Sequence, residues 1–499
     1  MDKRYEQERI VVIWSNENKL SLWQKSELAA IKASASLGEF DMAIYDQIET
    51  ILLHQPIDIA WWLNWDKVIG HDLNAFVAER VRHLPLELQI FLHKKLTSFD
   101  TQEPAFGRML LDSLAVVEEG CDAFEEVLID MARKYRYTIM NSRTHGQEGE
   151  LMTFGARILS WLADFRIARE ILSDAKSRLK YSKMSGAHGK YGSISPKMEK
   201  IALQILGFTP YYGATQIIPR VIYTPVAQAL SDMVQLLNKI AVEIRLNARS
   251  SRPLMREPFG KKQTGSSAMP HKRNPVKAEQ IAGMARMANG YKVMLESNIE
   301  TWEERDIAQS SVERVAWPDI FHVMVYSLNS MTAILSGLQV YPENMLLEIY
   351  ESHEVAGSSE LKEFLKEKMS AHGFGYEAAY RTMQLACFNL FEPSDELLKL
   401  RRPAESFSEA SSMLNALQYL PRPSRIVSIS EFIPQANLRV SGELAATQEE
   451  VDTYNTCLAT IFADPVNRKE WDGIFNPAEM LHNENELFWQ ILGDDIGEE

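Results

Sequence analysis

The stretch VAQALSDMVQLLNKIAVEIRLNAR, Val226 to Arg249, sets Leu230, Met233, Val234, Leu237, Ile240, Ala241 and Ile244 three or four residues apart. That spacing draws one apolar stripe along a long helix. Leu110, Leu114, Val117, Phe124, Val127, Leu128 and Met131 repeat the pattern just after Pro104. Leu151 to Leu179 and Val276 to Leu295 read the same way, and Pro318 to Leu338 is more uniformly apolar, as a buried helix is. Strand-like alternation is scarce. Helices this long bury their stripes only against one another, so the spacing predicts an all-α fold built on a helical bundle.

Breaks in the pattern divide the chain. Leu96 to Pro104 interrupts the first helical region, and Tyr341-Pro342-Glu343-Asn344 follows the central one. They predict an N-terminal helical domain over 1–105, a central long-helix domain over 106–345 and a C-terminal helical domain over 346–499. Within the last, Phe391 to Pro434 carries Pro393, Pro403, Pro421, Pro423 and Pro434 and reads as loops and short helices. The ending Gly493-Asp494-Asp495-Ile496-Gly497-Glu498-Glu499 reads as a frayed acidic tail.

Composition narrows the class. A chain of 499 residues exceeds one simple core, and 45% hydrophobic with 24% charged residues is the balance of a globular protein in water. No apolar run is long enough to span a bilayer, and the charged start, Met1 to Arg9, does not read as a secretory signal. Cys121, Cys387 and Cys457 are odd in number and far apart, which argues against a disulfide framework, and no CxxC or HExxH spacing suggests a metal. A formal net charge of -15 disfavours a nucleic-acid partner. The expectation is a protein of the reducing cytoplasm, without membrane or nucleic-acid partners.

One segment runs against the acidic background. Around Gly265-Ser266-Ser267-Ala268-Met269-Pro270-His271-Lys272-Arg273-Asn274-Pro275, the cations Arg252, Arg256, Lys261, Lys262, Lys272, Arg273 and Lys277 stand against a single acid, Glu257. By composition this is either a solvated surface loop or a clamp for a small polyanion. The loop resembles the GSSxMPxKxN signature of the fumarase/aspartase superfamily of lyases, with every fixed position filled. The resemblance implies a central bundle of long helices shared among four identical subunits, with small helical domains at each end. It also implies that the loop closes over a substrate carrying a succinyl group, which these enzymes cleave to release fumarate.

Further blocks resemble the adenylosuccinate lyase family within that superfamily. Ser142-Arg143-Thr144-His145-Gly146-Gln147, followed by Thr153-Phe154-Gly155, matches the segment of its catalytic histidine, and histidine titrates near neutrality. Gly70-His71-Asp72-Leu73-Asn74-Ala75-Phe76 is close to its HDxxAF segment. Thr97-Ser98-Phe99-Asp100 is a degraded TSSD, with Phe99 in place of a small residue and Pro104 where threonine is common. Glu303-Glu304-Arg305-Asp306 through Ser310 and Arg314 matches ERDxxxSSxxR, although Ala308-Gln309 replaces Ser-His. Ser310 and Arg314, four apart, share a helical face, and a hydroxyl with a guanidinium suits a phosphate. Arg4-Tyr5, Ser185-Gly186-Ala187 with Gly189, and Thr215-Gln216 complete the matches, while Val221-Ile222 replaces Asp-Arg after Arg220.

From the resemblance, the reaction is cleavage of a C–N bond beside a succinyl carboxylate, without metal or cofactor, on a small-molecule nucleotide. Ser266 is assigned as the base, with Ser267 as the runner-up, and Lys272 and the loop's backbone N–H groups favour its ionised form. Lys272, Asn274 and Gln216 stabilise the doubly charged carboxylate. His145 donates the proton to the leaving nitrogen, assisted by Glu279 or His71. Arg4, Tyr5, Asp72, Thr97, Ser98, Thr144, Ser267, Met269, Arg305, Ser310 and Arg314 fall to substrate binding. A superfamily lyase or cycloisomerase with another succinyl-type substrate, or a catalytically silent homologue, stays open at this point. If the site is composite, His71, His145 and Ser266 come from different subunits of a homotetramer.

Overall fold

All seven stripe residues between Leu230 and Ile244 are buried on a helix that runs Thr224–Asn247 in the computed structural model. The structure describes residues 1–419 and 425–496. Pro421 and Pro423 of the proline-rich stretch and Gly497, Glu498 and Glu499 of the acidic ending lie outside the described residues. Helices Val276–Ser297 and Ala308–Ser336 pack with Thr224–Asn247. Each large side chain taken from water on such a face contributes about 1.5–3 kcal/mol. That explains how Ala308–Ser336 accommodates Pro318 in its interior, at a cost of about 3 kcal/mol. The buried Trp317, Ile320, Phe321 and Met324 around it outweigh the lost hydrogen bond.

The chain divides into two units that interleave in sequence. The first comprises Met1–Leu128, Trp161–Arg249 and Met255–Gln339; the second comprises Ile129–Ser160, Ser250–Leu254 and Val340–Glu499. The break expected over Leu96 to Pro104 is shorter than the sequence suggested, because one helix spans Ser98–Lys134 with Pro104 inside it. The Asp100 carboxylate accepts the Thr97 N–H at 2.8 Å, so the helix is capped ahead of the proline. The expected limit at 105/106 therefore falls within a continuous helix. In the first unit a smaller cluster of Leu20, Trp23, Trp62, Leu73 and Phe76 gathers the N-terminal helices.

The second unit contains an element that helical periodicity did not predict. Ile139–Thr144 and Gln147–Thr153 form an antiparallel hairpin, and the helix expected from Leu151 begins only at Phe154, running Phe154–Ser177. The Thr153 hydroxyl accepts the Ala156 N–H at 3.0 Å and donates to Glu484 at 2.7 Å, which fixes where strand becomes helix. Farther along, Leu361, Leu365, Leu385, Leu458 and Trp471 form a separate helical core. Among the described residues, no helix is long and apolar enough to cross a membrane.

Candidate active site

Three short segments of the first unit meet around one buried ion pair. The Lys183 ammonium lies 2.7 Å from Asp100, and both side chains are fully buried. It also donates to the Gly186 carbonyl at 2.9 Å and to the Gln216 carbonyl at 3.0 Å. Asp100 accepts the Gly186 N–H at 3.1 Å in return. Thus Thr97–Asp100, Ser185–Ala187 and Thr215–Gln216, distant in sequence, become one cradle. Gly189 closes the turn, because a Cβ there would stand 1.9 Å from the Ala214 carbonyl oxygen. Lys183 gave no signal in the sequence: a lone lysine beside small residues has no spacing that marks it.

Arg305 and Gln216 form the polar wall. Arg305 donates to the Gln216 side-chain oxygen at 2.9 Å, and Gln216 donates to the Ala187 carbonyl at 3.2 Å, so both planar groups are oriented. The Arg305 guanidinium stacks over Phe99 at 4.1 Å, so the residue that departs from the family pattern supplies a platform for a cation. Among the described residues, Arg305 has no carboxylate within ion-pair reach, and its buried Nε has no hydrogen-bond partner. Burial, then the nearby Arg220 charge, push its pKa down, and the more distant Asp72 and Glu103 charges do not restore it. Among the described residues, Arg305 forms no ion pair with its neighbours Glu303, Glu304 and Asp306. Asp306 caps its own turn through the Trp302 and Ala308 N–H groups, freeing Arg305 to face Gln216.

Beside this wall lies a cavity of about 270 Å³, lined in part by Asp72, Phe99, Ser310 and Arg314. Arg314 pairs with Asp72 at 2.6 Å, and Ser310 precedes it by one turn on Ala308–Ser336. His71 caps the helix Asp72–Val81, accepting the Asn74 N–H at 3.3 Å, and its ring is partly exposed. Thr97 and Ser98 stand at the start of the helix that carries Phe99. Sequence reasoning missed the residues behind the cavity. Arg220 is buried between Glu103 at 3.0 Å and Glu313 at 2.8 Å. Burial opposes its charge, but the two carboxylates outweigh that and hold it firmly protonated. Lys19 also lines the cavity, above the Trp23 and Trp62 rings, and burial pushes its ammonium pKa down despite Asp72.

The loop 265–275 is built differently. The Ser266 hydroxyl oxygen accepts the Met269 N–H at 3.2 Å and the Ala268 N–H at 3.4 Å. Gly265 is required because a Cβ would stand 1.9 Å from the Lys272 carbonyl oxygen. Ser267, Met269 and Lys272 are exposed, and Asn274 is half-buried. Among the described residues, no hydrogen bond joins the Lys272 ammonium to Ser266, or this loop to the cradle. Glu257 caps the following helix through the Lys277 and Ala278 N–H groups at 3.2 and 3.1 Å, and Glu279 is exposed in its first turn. Tyr5 packs edge-on against Tyr326, which binds Gln280 of that helix, and Arg4 is exposed next to it.

His145 belongs to the second unit, where it occupies the hairpin tip with φ +55° and is exposed together with Thr144. A left-handed backbone at a non-glycine residue is uncommon. Here the two-residue turn, His145 then Gly146, demands it. The neighbouring Arg143 pairs with Glu348, anchoring the strand behind the tip. The x-Gly turn between strand residues was the available sequence signal for this hairpin.

Known proteins resemble the chain throughout. A family model described as "Lyase" matches residues 3–290. The adenylosuccinate lyase of Synechocystis sp. is 36% identical over 384 residues, covering 77% of this chain and 87% of that protein. That of Deinococcus radiodurans is 32% identical over 415 residues, covering 82% and 94%. Among solved structures, the beta-carboxy-cis,cis-muconate cycloisomerase of Acinetobacter calcoaceticus sp. ADP1 superposes with a TM-score of 0.73 at 18% identity, covering 98% of each chain. A fumarate lyase from Mesorhizobium sp. BNC1 gives 0.71 at 19%, covering 95% and 99%. The structures speak for the fold, and the sequence relatives for the family. The chain belongs to the adenylosuccinate lyase family of lyases.

Proposed function

We propose that this enzyme is a C–N lyase that cleaves adenylosuccinate to AMP and fumarate in purine nucleotide biosynthesis, and likewise the succinylated aminoimidazole carboxamide ribotide. The observation that carries the reading is Arg305, a half-buried guanidinium stacked on Phe99, oriented by Gln216 and lacking an anion of its own. A substrate carboxylate supplies the missing charge and takes the bidentate geometry that guanidinium favours. Ser310 and Arg314, with Asp72 beside them, line the neighbouring cavity and serve the nucleotide, as do Arg4, Tyr5, Thr97, Ser98 and Thr144.

In this scheme Ser266, as alkoxide, removes the proton beside one succinyl carboxylate. The two N–H groups already directed at its oxygen favour the ionised form. The electron pair becomes the C=C bond of fumarate as the C–N bond breaks. Lys272, Asn274 and Gln216 stabilise the charge that builds on the carboxylate. His145 gives its proton to the departing nitrogen, with Glu279 or His71 assisting, and Ser267 and Met269 close over the substrate with the loop.

The enzyme works as a homotetramer with composite sites, in the cytoplasm. Supporting assembly, the long helices expose apolar pairs on their outer faces: Ile167 and Ile171, Val242 and Leu246, Met287 and Met294. Mixing inactive His145→Ala and Ser266→Ala proteins then restores turnover, and no recovery after verified subunit exchange counts against shared sites. The direct test is to follow fumarate and AMP from adenylosuccinate with wild type and Ser266→Ala. A folded wild type without turnover, or a Ser266→Ala protein as fast as wild type, sinks the scheme.

A further inference from the structure

We infer that Lys183 is a positioning residue for the carboxylate end of the substrate, acting through Gln216 and Arg305 without touching the cavity. The inference rests on the proposed cleavage of a succinyl group. A fully buried ammonium is strongly unfavourable unless its charge and all three N–H donors are satisfied. Here Asp100, the Gly186 carbonyl and the Gln216 carbonyl use all three, at 2.7, 2.9 and 3.0 Å. The backbone of Gln216 is therefore fixed from behind by a charge, and its side chain, in front, holds Arg305 at 2.9 Å. The line from Lys183 to Gln216 to Arg305 runs from a site without solvent contact to a cation that, among the described residues, has no ion-pair partner. Removing the ammonium lets the Gln216 amide turn, and Arg305 then loses the partner that sets its plane.

The test uses the full-length protein as Lys183→Met, alone and combined with Asp100→Asn so that no buried charge is left uncompensated. Calorimetric titrations with succinate and with AMP separate the two ends of the substrate, and adenylosuccinate turnover is measured alongside. Both variants should bind succinate about tenfold or more weakly, the loss expected for a charge-assisted hydrogen bond, while AMP affinity stays within about threefold. The kcat should fall more than KM rises. A purely structural lysine would weaken both ligands together, and that outcome overturns the inference, as do unchanged succinate binding or failure of both variants to fold. If wild type binds succinate but does not cleave adenylosuccinate, the proposed reaction falls, while the succinate ratio still judges Lys183.

Discussion

Ser266 sits in a loop whose hydrogen bonds, among the described residues, reach no farther than the helix that follows it, whereas Gln216 and Arg305 sit in a cradle where a buried ion pair ties three segments together. The loop is exposed and rich in small residues; the cradle is half-buried and crossed by charge. Each arrangement suits the task proposed for it. Holding a dianion requires donors fixed before it arrives, since reorganising them afterwards forfeits part of the interaction. Delivering a base that must exclude water after binding requires a segment free to close. Mutations in the two regions should therefore fail in different ways.

The largest effect belongs to the loop. Ser266→Ala should lower kcat on the order of a thousandfold, with the melting temperature unchanged because Ser266 contributes no buried contact; Ser267→Ala should do far less. If the two serines behave alike, neither is singled out as the base. In the cradle, Arg305→Ala should cost about a hundredfold in kcat/KM, with a clear part of it in KM. A pure kcat effect would place Arg305 in the chemistry and blur the contrast. Next comes Phe99→Ser, which restores the family's small residue and removes the ring beneath Arg305. We expect KM to rise about tenfold and stability to fall by about 2–4 kcal/mol from the cavity left behind. A tighter-binding variant would show that Phe99 obstructs the site.

The smallest expected effect is a pH dependence confined to the cradle's flank. Buried Glu27 accepts from His93 at 2.8 Å and from Thr101 at 2.6 Å, bracketing the segment Thr97–Asp100. Burial lowers the His93 pKa, but the hydrogen bond and charge of Glu27 outweigh it and leave it raised. A raised histidine stabilises the fold fully below its unfolded value of about 6.5. That contribution is lost as pH rises through the folded value. Melting temperature should decline modestly as pH rises from about 6.5 through the raised folded value, and His93→Gln should flatten the decline. An equal slope in both proteins would remove His93 as its source.

The chain's periodicity determined the helices, because burying an apolar stripe every three or four residues is a local demand that a sequence states openly. Val226 to Arg249 and its buried stripe are the plainest instance. The signature loop and the block around Arg305 were legible because their residue types stand together. The hairpin carrying His145 was not, since two short strands leave too little alternation to compete with the helical pattern around them. The helix that carries Pro104 in its interior was not legible either, because Pro104 is buried and that burial is set by segments no local pattern displays. Lys183, Arg220 and Phe99 were decided only in three dimensions. A buried charge is tolerable solely where acceptors converge on it, and those acceptors come from segments that the sequence keeps far apart.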